Sequence, residues 1–341
     1  MEAVKKNALG LLLCLAIAVP SHFLGKAYPI VGGAVFGILI GMVVTMFIKN
    51  KAPFKAGIGF TSKKVLQYAV ILLGFGLNIS VVLETGKQSL PIIVSTITVA
   101  LVIAYVLHKL LGVPSKISTL VGVGSSICGG SAIAATAPVI QAEDDEVAQA
   151  ISVVFFFNVV AALVFPWLGT VLGFSATSGD AFGIFAGTAV NDTSSVTATA
   201  ATWDAMHNLG SATLDKAVTV KLTRTLAIIP ITMVLGIIQG KKGGSGGSIK
   251  IKNILPMFIV WFIVASLITT AATSFGVSAG VFAPFKSLSK FFIILAMSAI
   301  GLNTDIVKLV KSSGKPLFMG FCCWIGITAT SLVLQHVLGL W

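Results

Sequence analysis

Long apolar runs, separated by short polar stretches, follow one another along almost the whole chain. Hydrophobic residues make up 56% of the 341 residues, charged residues only 10%, and the mean hydropathy is +1.01. A soluble domain cannot bury that much apolar surface, so the solvent of this chain is lipid. A membrane segment needs about 20 apolar residues, and about eleven runs reach that length. Their approximate limits are 8–25, 30–48, 64–83, 90–110, 118–140, 147–171, 181–203, 214–238, 253–274, 287–307 and 316–339.

These runs predict an all-α fold: one polytopic transmembrane domain over residues 1–341 with the lipid bilayer as its partner. Lys and Arg outnumber Asp and Glu 23 to 11, and they cluster in short loops. Since no basic stripe is interleaved with aromatic residues, nucleic acid is not an expected partner. The basic residues in these clusters are Lys5, Lys6, Lys49, Lys51, Lys55, Lys63, Lys64, Lys109, Lys116, Lys241, Lys242, Lys250, Lys252, Lys308, Lys311 and Lys315. The positive-inside rule predicts that the N-terminus lies in the cytoplasm and the C-terminus outside, and the membrane we expect is the bacterial inner membrane.

Two of the apolar segments are interrupted by small and polar residues. The first interruption is GSSICGGS at 124–131, and the second is AGTAVNDTSSVTATA at 186–200. Unwound backbone survives in lipid only where protein or a polar cavity covers it, and half-helix ends offer N–H groups to anions and carbonyls to cations. The alternative is that the small residues only allow tight helix packing. We expect broken or re-entrant helices that line a binding cavity.

The two interruptions supply most of the candidate site. The expected substrate-binding residues are Ser125, Ser126, Cys128, Gly129, Gly130 and Ser131 on one side and Asn191, Thr193, Ser194 and Ser195 on the other. Asp192 cannot be placed in a loop, and an ionised Asp at mid-bilayer costs roughly 2.5–3.5 kcal/mol. It is the candidate for coupling transport to H⁺ or Na⁺. A structural ion pair with a basic residue on the next helix is its alternative.

Lys221 and Arg224 lie three residues apart and share one helix face in the next segment. If both face inward, two cations against Asp192 give a positive cavity that suits a small anion, since Arg matches carboxylate, sulfonate and phosphate groups. If they instead extend to the headgroups, they are only anchors. We include both in the predicted substrate site.

An internal repeat is predicted from two registers. One aligns Ser131 with Ser195 and Cys128 with Asp192, which makes 118–171 and 181–238 related units of an inverted repeat. The interrupted segments either cross the membrane or return as hairpins, and the acidic stretch 143–146 lies outside in the first case and inside in the second. A second register aligns 76–78 with 301–303, which adds Asn78 and Asn303 as weaker site candidates.

Enzymatic readings find little support. His108, His207 and His336 fall at segment ends, so none is an obvious base for Ser126 or Ser131. The sequence has neither metal-ligand spacing nor a phosphate-binding loop, so no metal and no cofactor is expected beyond a coupling H⁺ or Na⁺. An anion channel remains the alternative to a transporter. A homo-oligomer is left open.

Several blocks carry a family resemblance across nearly the whole chain: SSICGGSAIAATAPVI, FFFNVVAALVFPWLG, AGTAVNDTSSVTATA, VTVKLTRTLAIIP and AMSAIGLNTDIVKLVKSSGKPL. In them the chain resembles the YeiH family of sulfate exporters. The resemblance implies the broken-helix, inverted-repeat architecture of bile-acid/sodium symporters and sodium/proton antiporters, and a secondary transporter that exports sulfate or a small organosulfonate. A small carboxylate is a weaker alternative. Where members often carry a His, this chain has Asn191, which puts proton coupling through that position in question.

Overall fold

The computed structural model describes residues 2–28, 32–48, 50–241, 257–304 and 314–341, and its regular structure in these ranges is helical. The predicted all-α class is confirmed. The glycine-rich stretch after Lys241 and the predicted loop residues Lys49, Lys250, Lys252, Lys308 and Lys311 lie outside the described residues.

The helices follow the apolar runs closely. They are α1 (Glu2–Ala27), α2 (Gly33–Phe47), α3 (Ala52–Phe60), α4 (Leu66–Gly74), α5 (Ile79–Leu111), α6 (Ser115–Ser126), α7 (Gly130–Thr136), α8 (Asp144–Val171), α9 (Asp180–Ala189), α10 (Thr193–His207), α11 (Ala212–Thr225), α12 (Ile228–Lys241), α13 (Met257–Ser274), α14 (Ala283–Asn303) and α15 (Gly314–Val337). A π-helical turn, Thr61–Val65, joins α3 to α4, and a 3₁₀ turn, Ala279–Phe282, precedes α14. Seven helical stretches of the described chain are long and apolar enough to cross a membrane, as expected for a multi-pass membrane protein.

The interrupted segments each return to the end of the bundle from which they start. Lys116, at the start of α6, pairs with Glu146, at the start of α8, with 3.8 Å between Nζ and Oε2. Asp180, at the start of α9, pairs with Lys216, at the start of α11, at 3.6 Å. We therefore call α6–α7 hairpin 1 and α9–α10 hairpin 2. The end with Lys116 is the proximal end, and the end with Lys216 is the distal end.

This geometry decides between the two alternatives left open by the sequence. Because α8 crosses the bundle once between the hairpins, they enter from opposite ends. The arms of hairpin 2 are held together near its open end by Phe182 and Trp203, whose rings stack with centroids 4.0 Å apart. The acidic stretch 143–146 lies at the proximal end beside Lys116, as the hairpin alternative requires.

The helices divide into two bodies. One, the panel, contains α1–α4, α13 and α14; the other, the hairpin body, contains both hairpins with α5, α8, α11, α12 and α15. Within the panel, α2 and α14 pack most closely, because Gly41 allows the backbone of Leu302 and Gly301 to approach. Helix α10 makes the main contacts between the bodies, against α2 and α14.

Candidate functional site

The tips of the two hairpins touch each other in the middle of the bundle. Gly129, which precedes α7, and Asp192, which precedes α10, are the residues in contact. A Cβ atom on Gly129 would lie 3.2 Å from the Asp192 Cβ and 3.3 Å from its Oδ1, and Gly129 has a φ of +68°. Both the close approach and the left-handed backbone therefore require glycine at this tip.

Two buried cations hold the first arms of the hairpins. The Lys221 ammonium donates to the carbonyl oxygens of Ile127 at 2.5 Å and Val190 at 3.0 Å. The Arg224 guanidinium donates to Ser126 at 2.7 Å, to Ser125 at 3.1 Å and to Thr188 at 2.5 Å, all at carbonyl oxygens. Both side chains are completely buried. We call Lys221 and Arg224 the cationic clamp.

The clamp answers a requirement of broken helices. Arms α6 and α9 end inside the protein, where their last carbonyls have no helical partner and carry the negative end of the helix dipole. Lys221 and Arg224 supply donors and positive charge to both arms at once. Through these hydrogen bonds, Lys221 and Arg224 position the tips of both hairpins. Direct binding of an anion by either side chain stays a prediction.

Asn158, in the middle of α8, fastens the tip of hairpin 2. Its Oδ1 accepts hydrogen bonds from the backbone N–H groups of Asn191 at 3.1 Å and Asp192 at 3.0 Å. Its Nδ2 lies beside the hairpin 1 tip, 3.5 Å from the position that a Gly129 Cβ would take. One amide side chain thus holds the hairpin 2 tip and lies beside the hairpin 1 tip.

Asp192 is the N-cap of α10. Its Oδ2 accepts the backbone N–H of Ser194 at 2.9 Å and also the Ser194 hydroxyl. The carboxylate therefore stabilises the positive end of a 15-residue helix. The alternative role, an ion pair with a basic residue on the next helix, is not among the ion pairs of the described residues, where Lys221 donates to carbonyl groups instead.

A cavity of about 720 Å³ reaches the tips from the proximal end, between the panel and the hairpin body. Phe258 and Asn303, at the proximal ends of α13 and α14, mark one side of it, and Asp192 and Asn158 lie at its inner end. Its lining consists of Ser62, Lys63, Leu66, Gln67, Val70, Gly130, Ser131, Ala134, Ile151, Ser152, Phe155, Asn158, Asp192, Thr193, Ser194, Phe258, Ile300 and Asn303. It combines hydroxyl and amide groups with one Lys and one Asp.

The structure separates the predicted site residues into two groups. Gly130, Ser131, Asp192, Thr193 and Ser194 line the cavity. The remainder lie behind the lining, where they shape the tips or hold them: Ser125, Ser126, Cys128, Gly129, Asn191, Ser195, Lys221 and Arg224. Of the weaker candidates, Asn303 lines the cavity, whereas Asn78 caps α5 by accepting from the Ser80 N–H at 2.9 Å.

Asn158 and Lys63 are the two most informative of the lining residues that the sequence analysis did not predict. Asn158 is a single amide in the apolar run VVFFFNVVAALVF, and that isolation was a usable signal. The prediction of Lys63 as a loop residue is wrong, because the helix that begins at Ala52 continues through the π-turn and places Lys63 on the cavity wall. π-turns inside helices frequently occur at functional sites.

The predicted repeat register is off by one residue. The N-caps that correspond are Gly129 and Asp192, so Asp192 pairs with Gly129 rather than with Cys128. The clamp follows the same register, because Lys221 binds Ile127 and Val190, the residues two before each N-cap. Matches between alanine-rich stretches had favoured the neighbouring alignment.

Comparison with known proteins gives one family. Residues 9–320 match the family described as conserved hypothetical protein 698. A UPF0324 membrane protein of Fusobacterium nucleatum is 59% identical over 342 residues, covering 97% of this chain and 98% of that protein. A UPF0324 membrane protein of Streptococcus mutans is 58% identical over 337 residues, covering 97% of each chain. The resemblance to the YeiH family is thereby confirmed, and the chain belongs to this YeiH/UPF0324 family of membrane proteins.

Proposed function

We propose that this protein is a secondary active transporter that exports a small anion, of the sulfate or organosulfonate class, by alternating access. The observation that carries the proposal is the contact of two oppositely entering hairpin tips at the inner end of a cavity between two helix bodies. Rocking of one body against the other would close this cavity and expose the tips at the distal end.

The lining favours a small anion. Lys63 provides one ammonium on the panel side, while Ser131, Thr193 and Ser194 provide hydroxyl groups on the side of the tips. A cavity of about 720 Å³ holds a sulfate or a short sulfonate with its hydration shell.

Asp192 is the proposed coupling group. It lies on the cavity surface and at the contact between the tips. Its charge therefore affects both the binding of the substrate and the movement of the two bodies against each other. Binding of H⁺ or Na⁺ by its carboxylate would change the charge at the tip contact and therefore the relative stability of the two access states. This gives the coupling ion a differential effect on the two access states, as coupling requires.

The proximal end is proposed to face the cytoplasm of a bacterial inner membrane. Lys51, Lys55, Lys109, Lys116 and Lys315 belong to segments that start or end there. By the positive-inside rule this puts the N-terminus inside and the C-terminus outside. The cavity then opens toward the cytoplasm, which is the side from which an exporter loads.

Flux of labelled sulfate into proteoliposomes tests the proposal. A carrier gives saturable uptake that unlabelled sulfate or methanesulfonate on the opposite side accelerates, and a gradient of H⁺ or Na⁺ drives accumulation. Lys63→Gln should raise the KM for the anion about tenfold, since a cation on the cavity wall is lost. Lys64→Gln is the matched control, because Lys64 is exposed but is not part of the lining.

Three results would overturn the proposal. A large electrogenic conductance without acceleration by substrate on the opposite side would indicate an anion channel. Saturable uptake of acetate but not of sulfate would show that the substrate is a small carboxylate rather than a sulfate or sulfonate. An equal KM in the Lys63→Gln and Lys64→Gln proteins would remove Lys63 from the anion site.

A further inference from the structure

A second cavity, of about 400 Å³, lies between the same two bodies at the distal end. Its lining comes from the end of α1, the start of α2, the first half of α14 and the C-terminal half of α10. We infer that this cavity is a distal anion vestibule, in which Lys26 and Lys290 bind the small anion as it arrives or leaves on that side. The inference rests on the proposed function and deepens it.

The vestibule carries an excess of positive charge. Lys26, Lys290 and His22 line it, and Asp204 is the carboxylate among the lining residues. Both Asp204 oxygens are engaged at the start of α11, where they accept backbone N–H groups from Thr213 and Leu214 at 2.9 Å each. Its charge is therefore largely committed to a helix N-terminus. Two ammonium groups in a cleft raise the local concentration of anions.

The vestibule and the proximal cavity are the two ends of one interface. Helix α10 lines the proximal cavity at Asp192 and the vestibule at Asp204, and these residues are about 18 Å apart along the helix. Helix α14 likewise contributes Asn303 to the first cavity and Lys290 to the second. Rocking that closes one cavity opens the other along the same helices.

Tight packing separates the two cavities. Ala198 and Met297, which lie between the cavities on α10 and α14, are buried in the same apolar cluster. The path is therefore closed in the middle in this conformation, with a cationic opening at its far end.

The walls indicate the size and class of the ligand. Glycine and alanine form much of the lining, at Gly25, Gly33, Ala34, Ala201 and Ala205. These small side chains leave room for a hydrated ion, and Leu214, Ile293 and Ile294 complete the apolar part of the wall. The Lys290 ammonium also donates to the Gly210 carbonyl at 2.9 Å, which holds it at the edge of the vestibule. These features fit an oxyanion the size of sulfate.

Thiol labelling tests the charge of the vestibule without requiring transport. Ala205→Cys on a Cys322→Ala background places a thiol in the lining, since the other three native cysteines are buried. Labelling by an anionic and a cationic methanethiosulfonate reagent is compared with Ser175→Cys, an exposed position at the distal end. Relative to that reference, we expect about tenfold preference for the anionic reagent. Millimolar sulfate should slow this labelling, and equal preference at the two positions would overturn the inference.

Removal of the cations gives the second arm. Lys26→Gln with Lys290→Gln should abolish the labelling preference and raise the KM for sulfate added from the distal side about tenfold, while the KM from the proximal side stays unchanged. Lys290→Gln alone removes one of the two ammonium groups and should have a smaller effect on the labelling preference and on the KM. Lys87→Gln is the matched control, because Lys87 is exposed near the distal end but outside the lining. If the KM for sulfate changes equally from the distal and the proximal side, the vestibule inference is wrong, although the proposed transport function stands. If the wild type transports no sulfate, the proposed function fails and the labelling ratio still decides the vestibule.

Discussion

Hairpin 1 and hairpin 2 share one plan and differ at their tips. In each, the first arm ends at a carbonyl bound by Lys221, and the second arm begins three residues later. At the corresponding N-cap, hairpin 1 has Gly129 in a left-handed conformation, whereas hairpin 2 has Asp192 in an extended one. One tip has no side chain and the other has a carboxylate.

The difference is explained by the contact between the tips. A Cβ on Gly129 would already stand at 3.2 Å from Asp192, so the space beside one tip is filled by the side chain of the other. Two acidic tips would also place two carboxylates together in a region of low dielectric, which costs more than either alone. Only one of the two hairpins can therefore be ionisable, and the other provides room for it.

The cationic clamp gives the largest expected effect, because both hairpins depend on it. Arg224→Met removes the donors of three buried carbonyls and should destabilise the protein by about 3–5 kcal/mol. We expect a large fall in the Tm of the detergent-purified protein. Arg224→Lys should recover only part of it, since an ammonium cannot reproduce the guanidinium fork.

Lys216→Met is the control for the clamp, since it lies on the same helix but pairs with an Asp180 whose side chain is 74% exposed. Such a pair contributes at most about 1 kcal/mol. An Arg224→Met protein with a Tm equal to that of Lys216→Met would contradict the clamp.

The role of the clamp also marks where sequence reasoning ends. Lys221 and Arg224 stood out as cations inside an apolar segment, and an anionic substrate was the partner expected for them. Their partners in the structure are backbone carbonyls some 30 to 100 residues away in sequence. No side-chain pattern encodes a carbonyl as a partner, so the sequence predicts that these cations are needed but not what they bind.

The positions of the two helix interruptions could be predicted from the sequence. The interruptions were located from small and polar residues inside apolar runs, because such residues are costly in lipid unless they have a use. Whether the segments cross or return could not be read, because both topologies leave the basic loops on the same side. Only tertiary contacts such as Lys116 with Glu146 distinguish them.

Asn158 supports the hairpin 2 tip, and its loss should have the second largest effect. Asn158→Leu leaves the N–H groups of Asn191 and Asp192 without their acceptor, at a cost of about 2–4 kcal/mol for the two groups. Asn158→Gln keeps an amide acceptor without adding a charge beside Asp192 and should be less destabilising. Melting curves for the pair of variants measure this, and an equal fall in Tm would show that lost packing rather than lost hydrogen bonds is responsible.

Gly129→Ala tests the contact between the tips directly. The substitution combines a strained φ of +68° with a clash against Asp192, and we expect a loss of about 1–3 kcal/mol. Gly130→Ala is the control at the next residue, where a Cβ would meet no atom within 4 Å and φ is not left-handed. If the two alanine variants melt at the same temperature, the tips do not approach as closely as described.

Asp192→Asn should change stability least and coupling most. Asn is as good an N-cap as Asp, so the bond from the Ser194 N–H survives and the Tm should shift by less than the equivalent of about 1 kcal/mol. The charge that couples the ion to the cavity is lost, so gradient-driven accumulation of sulfate in proteoliposomes should disappear while exchange of sulfate for sulfate continues. Asp180→Asn, at an exposed carboxylate, should keep both activities. Accumulation that persists in Asp192→Asn would assign coupling to another group and leave Asp192 with the same structural task as its glycine counterpart: to start the second arm of a hairpin.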